Sequence, residues 1–270
     1  MIKKSINRIL ALADATLVRR SNYQNILKDT ASMRKYRLSE RISPDHYLDY
    51  FENLKLSKSQ LRQDLFVLSE LNFKKDGYFI EFGATDGVRL SNTHLLETKF
   101  GWSGILAEPA RIWHSALKEN RSAIIETDCV WSESGKSLTF NEVNDEKHRG
   151  ELSTIDIFSN SDKHKKIRKS AGKKYNVKTI SLLDLLEKHK APRSIDYLSI
   201  DTEGSEYEIL KNFDFDKYHI KVITCEHNYT ATRDCVRTLL EENGYTRKYE
   251  DCSLFDDWYV KLPSQTIGPN

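Results

Sequence analysis

Acids recur beside short apolar runs at regular places along the chain. Glu81 lies near the end of the run Tyr78–Phe82, which opens into Gly83-Ala84-Thr85-Asp86-Gly87. Further on come Ser91-Asn92-Thr93, Glu108-Pro109, Thr127-Asp128-Cys129, Asp201-Thr202-Glu203-Gly204-Ser205-Glu206 and Glu226-His227-Asn228. These types can hold a nucleotide-like ligand. Gly83 and Gly87 lack a Cβ, so a tight turn and a close backbone approach are open to them. Ser91-Asn92-Thr93, opening a helix, offer free N–H groups and short polar side chains to a carboxylate. An acid at Glu108 can accept the two hydroxyls of a ribose, and one at Asp128 can accept from an adenine amino group. Each acid alone reads as an ordinary helix cap or first-turn acid. The ligand reading rests on all of them falling at one edge of one sheet.

That edge must be built by alternating strands and helices, the pattern of a parallel sheet with helices on both faces. Strands are expected at 78–82, 104–108, 122–127, 195–200 and 221–226. Helices are expected between them at 91–100, 110–120, 181–189, 205–212 and 231–243. The tail segments 245–250 and 257–262, joined by a polar loop, suit an antiparallel pair at the sheet edge. Before the sheet, Pro44 starts a helix through Tyr47, Leu48, Tyr50 and Phe51. Ser57 or Ser59 caps the next, at 60–71. The domains expected are a helical extension over residues 1–57 and a catalytic domain over 58–270, with an insertion or lid around 141–174, where periodicity lapses. The lysine-rich run at 163–174 reads as a solvated face, with phosphate binding as the sharper alternative.

Composition narrows the partners. With 270 residues, 39% hydrophobic and 30% charged, the chain is long enough for one large soluble domain. A net charge of +2 gives no case for nucleic acid. Cys129, Cys225, Cys235 and Cys252 form no C-x-x-C pair, so zinc is not expected and a reduced, cytoplasmic protein is the default. No run is long enough for a transmembrane helix. Residues 1–20 set Ile2, Ile6, Ile9, Leu10, Ala13 and Leu17 at helical spacing beside Lys3, Lys4, Arg8, Arg19 and Arg20. Such a stripe can pack on the domain, on a second subunit in a homodimer, or on a membrane surface as a peripheral contact.

Taken together, the motifs resemble the FkbM family of S-adenosylmethionine (SAM)-dependent methyltransferases. The residues carrying the likeness are Ser59-Gln60 with Gln63-Asp64-Leu65-Phe66, Ile80-Glu81-Phe82-Gly83-Ala84 with Asp86-Gly87, Ser91-Asn92-Thr93, Gly101-Trp102-Ser103-Gly104 with Glu108-Pro109, and Asp196 through Glu206. Two positions depart from the pattern: Thr85 replaces the more usual Asn, and Arg62 stands where a Gly commonly precedes Gln63-Asp64.

The resemblance implies a Rossmann-like class I fold: a mostly parallel seven-stranded sheet with an antiparallel edge hairpin. It also implies O-methylation of a hydroxyl on a sugar, as nucleotide sugar, polysaccharide or glycolipid. Glu81, Asp86, Ser91 and Asn92 would then hold the methionine end of SAM, with Gly83 and Thr85 in the same turn. Glu108, with Pro109, would hold the ribose; Asp128 and Cys129 would flank the adenine. Asp201 would also face the cofactor.

A sugar hydroxyl needs a general base. His227 and Asp201 are the candidates, with Glu203, Asn228 and Ser153 as acceptor contacts. Asp201, Glu226 and His227 could instead hold Mg²⁺, which would lower the pKa of one of two vicinal hydroxyls. A non-catalytic SAM-binding or scaffolding protein, or a methyltransferase for a non-sugar hydroxyl, is the alternative. An NAD-dependent enzyme ranks lower, because no G-x-G-x-x-G follows the first strand.

Overall fold

The computed structural model describes residues 37–144, 150–161 and 164–262. The stripe at 1–20 and part of the lysine-rich run lie outside these. The chain divides into two compact units, Met1–Arg41 and Ile42–Asn270. In the first, the described residues include a 3-10 turn, Ser39–Arg41. The second holds the sheet and everything that follows, including the helix expected after Pro44.

That helix is α1 (Tyr47–Asn53), entered through a 3-10 turn at Pro44–His46. Next is α2 (Gln63–Glu70). No side chain caps α2 at the residue before it. Arg62 stands there in the left-handed region, at φ 72°, and Ser59 Oγ accepts the Asp64 N–H from further back. The left-handed backbone accounts for the usual glycine at this position. The Arg62 guanidinium donates to the Ser57 and Ser59 carbonyls.

The strands run β1 (Tyr78–Phe82), β2 (Ser103–Ala107), β3 (Ile124–Glu126), β4 (Cys129–Trp131), β5 (Ser137–Val143), β6 (Thr154–Ile155), β7 (Gly172–Ser181), β8 (Ser194–Ile200), β9 (His219–Glu226), β10 (Tyr245–Lys248) and β11 (Asp256–Lys261). Seven of them form one sheet in the order β10-β11-β9-β8-β1-β2-β3. β1, β2, β3, β8 and β9 pair in parallel, and β11 runs antiparallel to β9 and β10. This is the expected Rossmann-like arrangement with its edge hairpin. β1 is aromatic and branched apolar but for Glu81, and β8 is buried at every residue after Ser194, because helices cover both faces of the sheet. The main core joins Ile80, Phe82, Ile105, Leu198, Ile200 and Ile223 to the helix side chains Leu185, Leu186, Ile209 and Leu240.

The interval expected as a lid is not structureless. β4, β7, β5 and β6 make a second sheet of four strands, and α5 (Lys165–Ala171) precedes β7; α3 (His94–Phe100) and α4 (His114–Asn120) lie earlier in the chain. The signal was present in β7. Val177 and Thr179 are buried while Asn176 and Lys178 are exposed, the period of two of a half-buried strand, but the lysines masked it. Within α5, Arg168 overturns the reading of the whole basic run as a solvated face. It is buried, and its guanidinium donates to the Leu152 carbonyl at 2.8 Å and to Glu203 at 2.9 Å. Among the described residues no helix is long and apolar enough to cross a membrane.

Candidate functional site

Register sets the site. Phe82 lies opposite both Ala107 and Ile200, and Ile200 lies opposite Cys225. The next residues, Gly83, Glu108, Asp201 and Glu226, therefore stand at one level at the ends of their strands. They surround a cavity of about 280 Å³. It sits where the chain order reverses, since β2 flanks β1 on one side and β8 on the other, the usual place for a ligand in an open α/β sheet. The second sheet contributes Phe140 and Ile155 to the walls, the residue before β6 contributes Ser153, and the segment before α2 contributes Gln60.

Of the residues assigned to the cofactor by resemblance, Glu81, Gly83, Thr85, Ser91, Asn92, Glu108, Pro109, Cys129 and Asp201 line this cavity. Glu81 is already heavily engaged. One oxygen accepts the Asn92 N–H at 2.6 Å; the other accepts the Ser91 and Thr93 hydroxyls. Arg121, buried beneath, donates to the Gly87 carbonyl, the Ser91 and Thr93 hydroxyls and Glu97. Nothing in the local pattern marked Arg121, because its partners are scattered over the preceding forty residues.

Glu108 is placed as a double acceptor. Its two oxygens each take one backbone N–H, from Thr85 and Ala110, both at 2.8 Å, leaving further lone pairs for hydroxyl donors. Burial pushes this carboxyl up to about 7. Thr85 is held at φ 47° by the same turn. A β-branched residue is strained there, whereas Asn tolerates the left-handed region. Thr85→Asn is expected to stabilise the protein by about 0.5–1 kcal/mol, read as a higher urea midpoint with an unchanged slope. An unchanged or lower midpoint contradicts the strain.

Across the cavity, Asp201, Glu203 and Glu226 bring one oxygen each within 4.8 Å of the others. Asn228 Nδ2 donates to Glu226 at 2.7 Å and to Glu203 at 3.3 Å. Burial pushes Asp201 up to about 6. Glu226 is raised well above its ordinary value by burial and by the charges of Asp201 and Glu203. Of the two, Glu226 is the more reluctant to ionise. Burial also pushes the Cys129 thiol up to about 12, so it is an apolar wall, not a nucleophile.

Three expected residues fall elsewhere. Asp86 does not line the cavity; its Oδ1 accepts the Val88 and Arg89 N–H groups and closes the turn. Asp128 also stands outside, its N–H donating to Glu126. His227 is buried behind Asn228, and its Nδ1 accepts the Tyr229 N–H at 3.0 Å. Burial lowers its pKa, so the ring is neutral near pH 7. It steadies the turn at Asn228 and Tyr229, which both have positive φ, and does not reach the cavity. Asp201 alone of the two base candidates lines it. Arg89, Glu151, His164 and Phe255 line the cavity without having been singled out; the last three sit in loops with no motif around them, and Arg89 lies between two motifs without belonging to either.

A family model described as Methyltransferase FkbM domain matches residues 81–265. Among solved structures, the chain is similar to Methyltransferase FkbM from Methylobacillus flagellatus KT, with 13% identity and a TM-score of 0.46. That likeness covers 88% of this chain but 60% of the other, so the chain spans well under two thirds of its length. It is also similar to Precorrin-6y C5,15-methyltransferase from Geobacter metallireducens GS-15, with 12% identity, a TM-score of 0.36, and coverage of 73% of this chain and 85% of that one. No curated protein matches the chain.

Proposed function

The chain belongs to the FkbM methyltransferase family, and from that premise we propose that it is a SAM-dependent O-methyltransferase acting on a sugar hydroxyl, with Asp201 as general base. The observation that carries the proposal is the shared cavity of Glu108 and the Asp201–Glu203–Glu226 cluster.

The lining fits the cofactor. Glu108 has lone pairs for two ribose hydroxyls, and Asn92 Oδ1 is a buried acceptor with no hydrogen-bond partner in the protein. SAM supplies a methyl group already activated on a sulfonium, so the chain's own work is alignment and proton removal. Asp201, ionised above about pH 6, takes the hydroxyl proton. Glu226, itself held by Asn228, is hydrogen-bonded to Asp201, and Glu203 with Asn228 and Ser153 offers hydrogen bonds to neighbouring hydroxyls. A lining rich in acids supports a neutral polyol over a phosphorylated acceptor.

A divalent cation on Asp201, Glu203 and Glu226 is the second reading, favoured by the closeness of their oxygens. Arg168 already supplies Glu203 with a positive charge, which weakens the case. Turnover that survives excess EDTA removes it.

The first test is calorimetry with SAM and S-adenosylhomocysteine (SAH), followed by methyl release over a panel of glycans and nucleotide sugars. Absence of binding below millimolar concentrations ends the proposal; binding without turnover on any acceptor favours the non-catalytic alternative. Because the ionised form of Glu108 accepts both hydroxyls, SAH affinity should rise with pH through about 7. Glu108→Gln should flatten that rise, and a pH-independent wild-type affinity counts against the ribose role.

A further inference from the structure

If the cavity takes SAM, as proposed above, the amino-acid end of the ligand brings a carboxylate as well as an ammonium. The described lining is strongly acidic: Glu81, Glu108, Glu151, Asp201, Glu203 and Glu226 all contribute. A carboxylate entering it needs a cation. Among the described lining residues, one guanidinium faces the cavity, that of Arg89, and one imidazole, that of His164.

Arg89 is well mounted for the task. Its N–H is held by Asp86 Oδ1 at 2.8 Å, within the turn that follows β1. Its side chain is partly exposed and pairs with Glu151 at 3.0 Å across the cavity. Such a pair at the surface is worth little and is readily exchanged. Asn92, three residues on, lines the same cavity; its Nδ2 is held by Ser199, and its buried Oδ1 has no hydrogen-bond partner. The lining thus holds both a residue with an open acceptor, suited to an ammonium, and a fork-shaped donor suited to a carboxylate, the pairing an α-amino acid requires.

We infer that Arg89 binds the carboxylate at the amino-acid end of SAM, giving up or sharing its ion pair with Glu151.

The test compares two ligands on the full chain by calorimetry. SAH carries the amino-acid end, and 5′-methylthioadenosine lacks it. Arg89→Met is expected to weaken SAH by about 10- to 100-fold, the range for losing a charge-assisted hydrogen bond, and to leave methylthioadenosine at its wild-type affinity. Arg89→Lys should recover part of the loss. Glu151→Gln, which frees the guanidinium and removes a competing negative charge, should tighten SAH and not methylthioadenosine. If wild-type protein binds SAH while Arg89→Met weakens both ligands equally, or neither, the assignment is overturned and the cofactor reading stands. If wild-type protein binds neither ligand, the cofactor reading falls and the assignment goes with it.

Discussion

Asp201→Asn is expected to slow methyl transfer by about 10²- to 10⁴-fold, the usual worth of a positioned general base, while SAH affinity stays close to that of wild type. The separation follows from where the side chain stands. Asp201 follows β8 at the sheet level of Gly83 and Glu108, but its carboxyl clusters with those of Glu203 and Glu226, on the side proposed for the acceptor. The amide keeps the shape and loses the basic oxygen. It also removes one of the charges that raise Glu226, so that carboxyl should ionise more readily. The measurement is kcat at saturating SAM beside an SAH titration. A variant retaining more than half of the wild-type kcat would falsify the assignment. His227→Ala serves as the contrast. Its ring lies behind Asn228 and accepts a backbone N–H, so its loss should act through the turn, raising KM for the acceptor more than it lowers kcat.

Gly83→Ala should be the most damaging single substitution in the site. A Cβ at Gly83 would meet the Asp201 carbonyl oxygen at 2.0 Å, on a backbone held at φ +74°. Neither atom is the flexible end of a side chain. The clash is between two main-chain segments, one leaving β1 and the other leaving β8, and relieving it must pull the two walls of the cavity apart. Overpacking and left-handed strain together cost roughly 3–5 kcal/mol, or on the order of 10 °C in melting temperature for a domain of this size. SAH binding should weaken with it. Gly135→Ala separates the two contributions. Gly135 has φ +79° and nothing within 4 Å of its added Cβ, so it should cost about 1 kcal/mol, the backbone contribution alone. Equal losses for the two variants would show that the Asp201 contact is harmless.

The glycine turn illustrates how far sequence reasoning reached. A residue free of Cβ after β1 was legible, and so was the purpose of close approach. What approaches Gly83 most closely is the Asp201 backbone, not the ligand alone. The acids after the strands were legible too, because each stands beside an apolar run and local spacing is enough to find it. Sorting them was not. Asp86 and Arg89 occupy the same turn, yet the acid turns inward to hold the backbone and the base turns to the cavity. Asp128 follows a strand as Glu108 does, but the chain bends between β3 and β4 and carries it outside. The second sheet went unread because Lys174 and Lys178 populate the exposed face of β7, with Lys173 exposed near its start, and a charged, half-buried strand carries little hydrophobic signal.

What the sequence by itself determined is the alternation of strands and helices, the sheet edge that carries the chemistry, and the pool of residues available there. These depend on periodicity and on residues close together in the chain. The tertiary structure alone decided which of that pool converge. Glu226 meets Asp201 because β9 pairs with β8 in a particular register. Arg168 neutralises Glu203 from thirty-five residues away, and Arg121 binds the turn from across two helices and a strand. Such contacts join distant segments through burial, and a buried charge is stable only where a partner from elsewhere in the chain arrives to meet it.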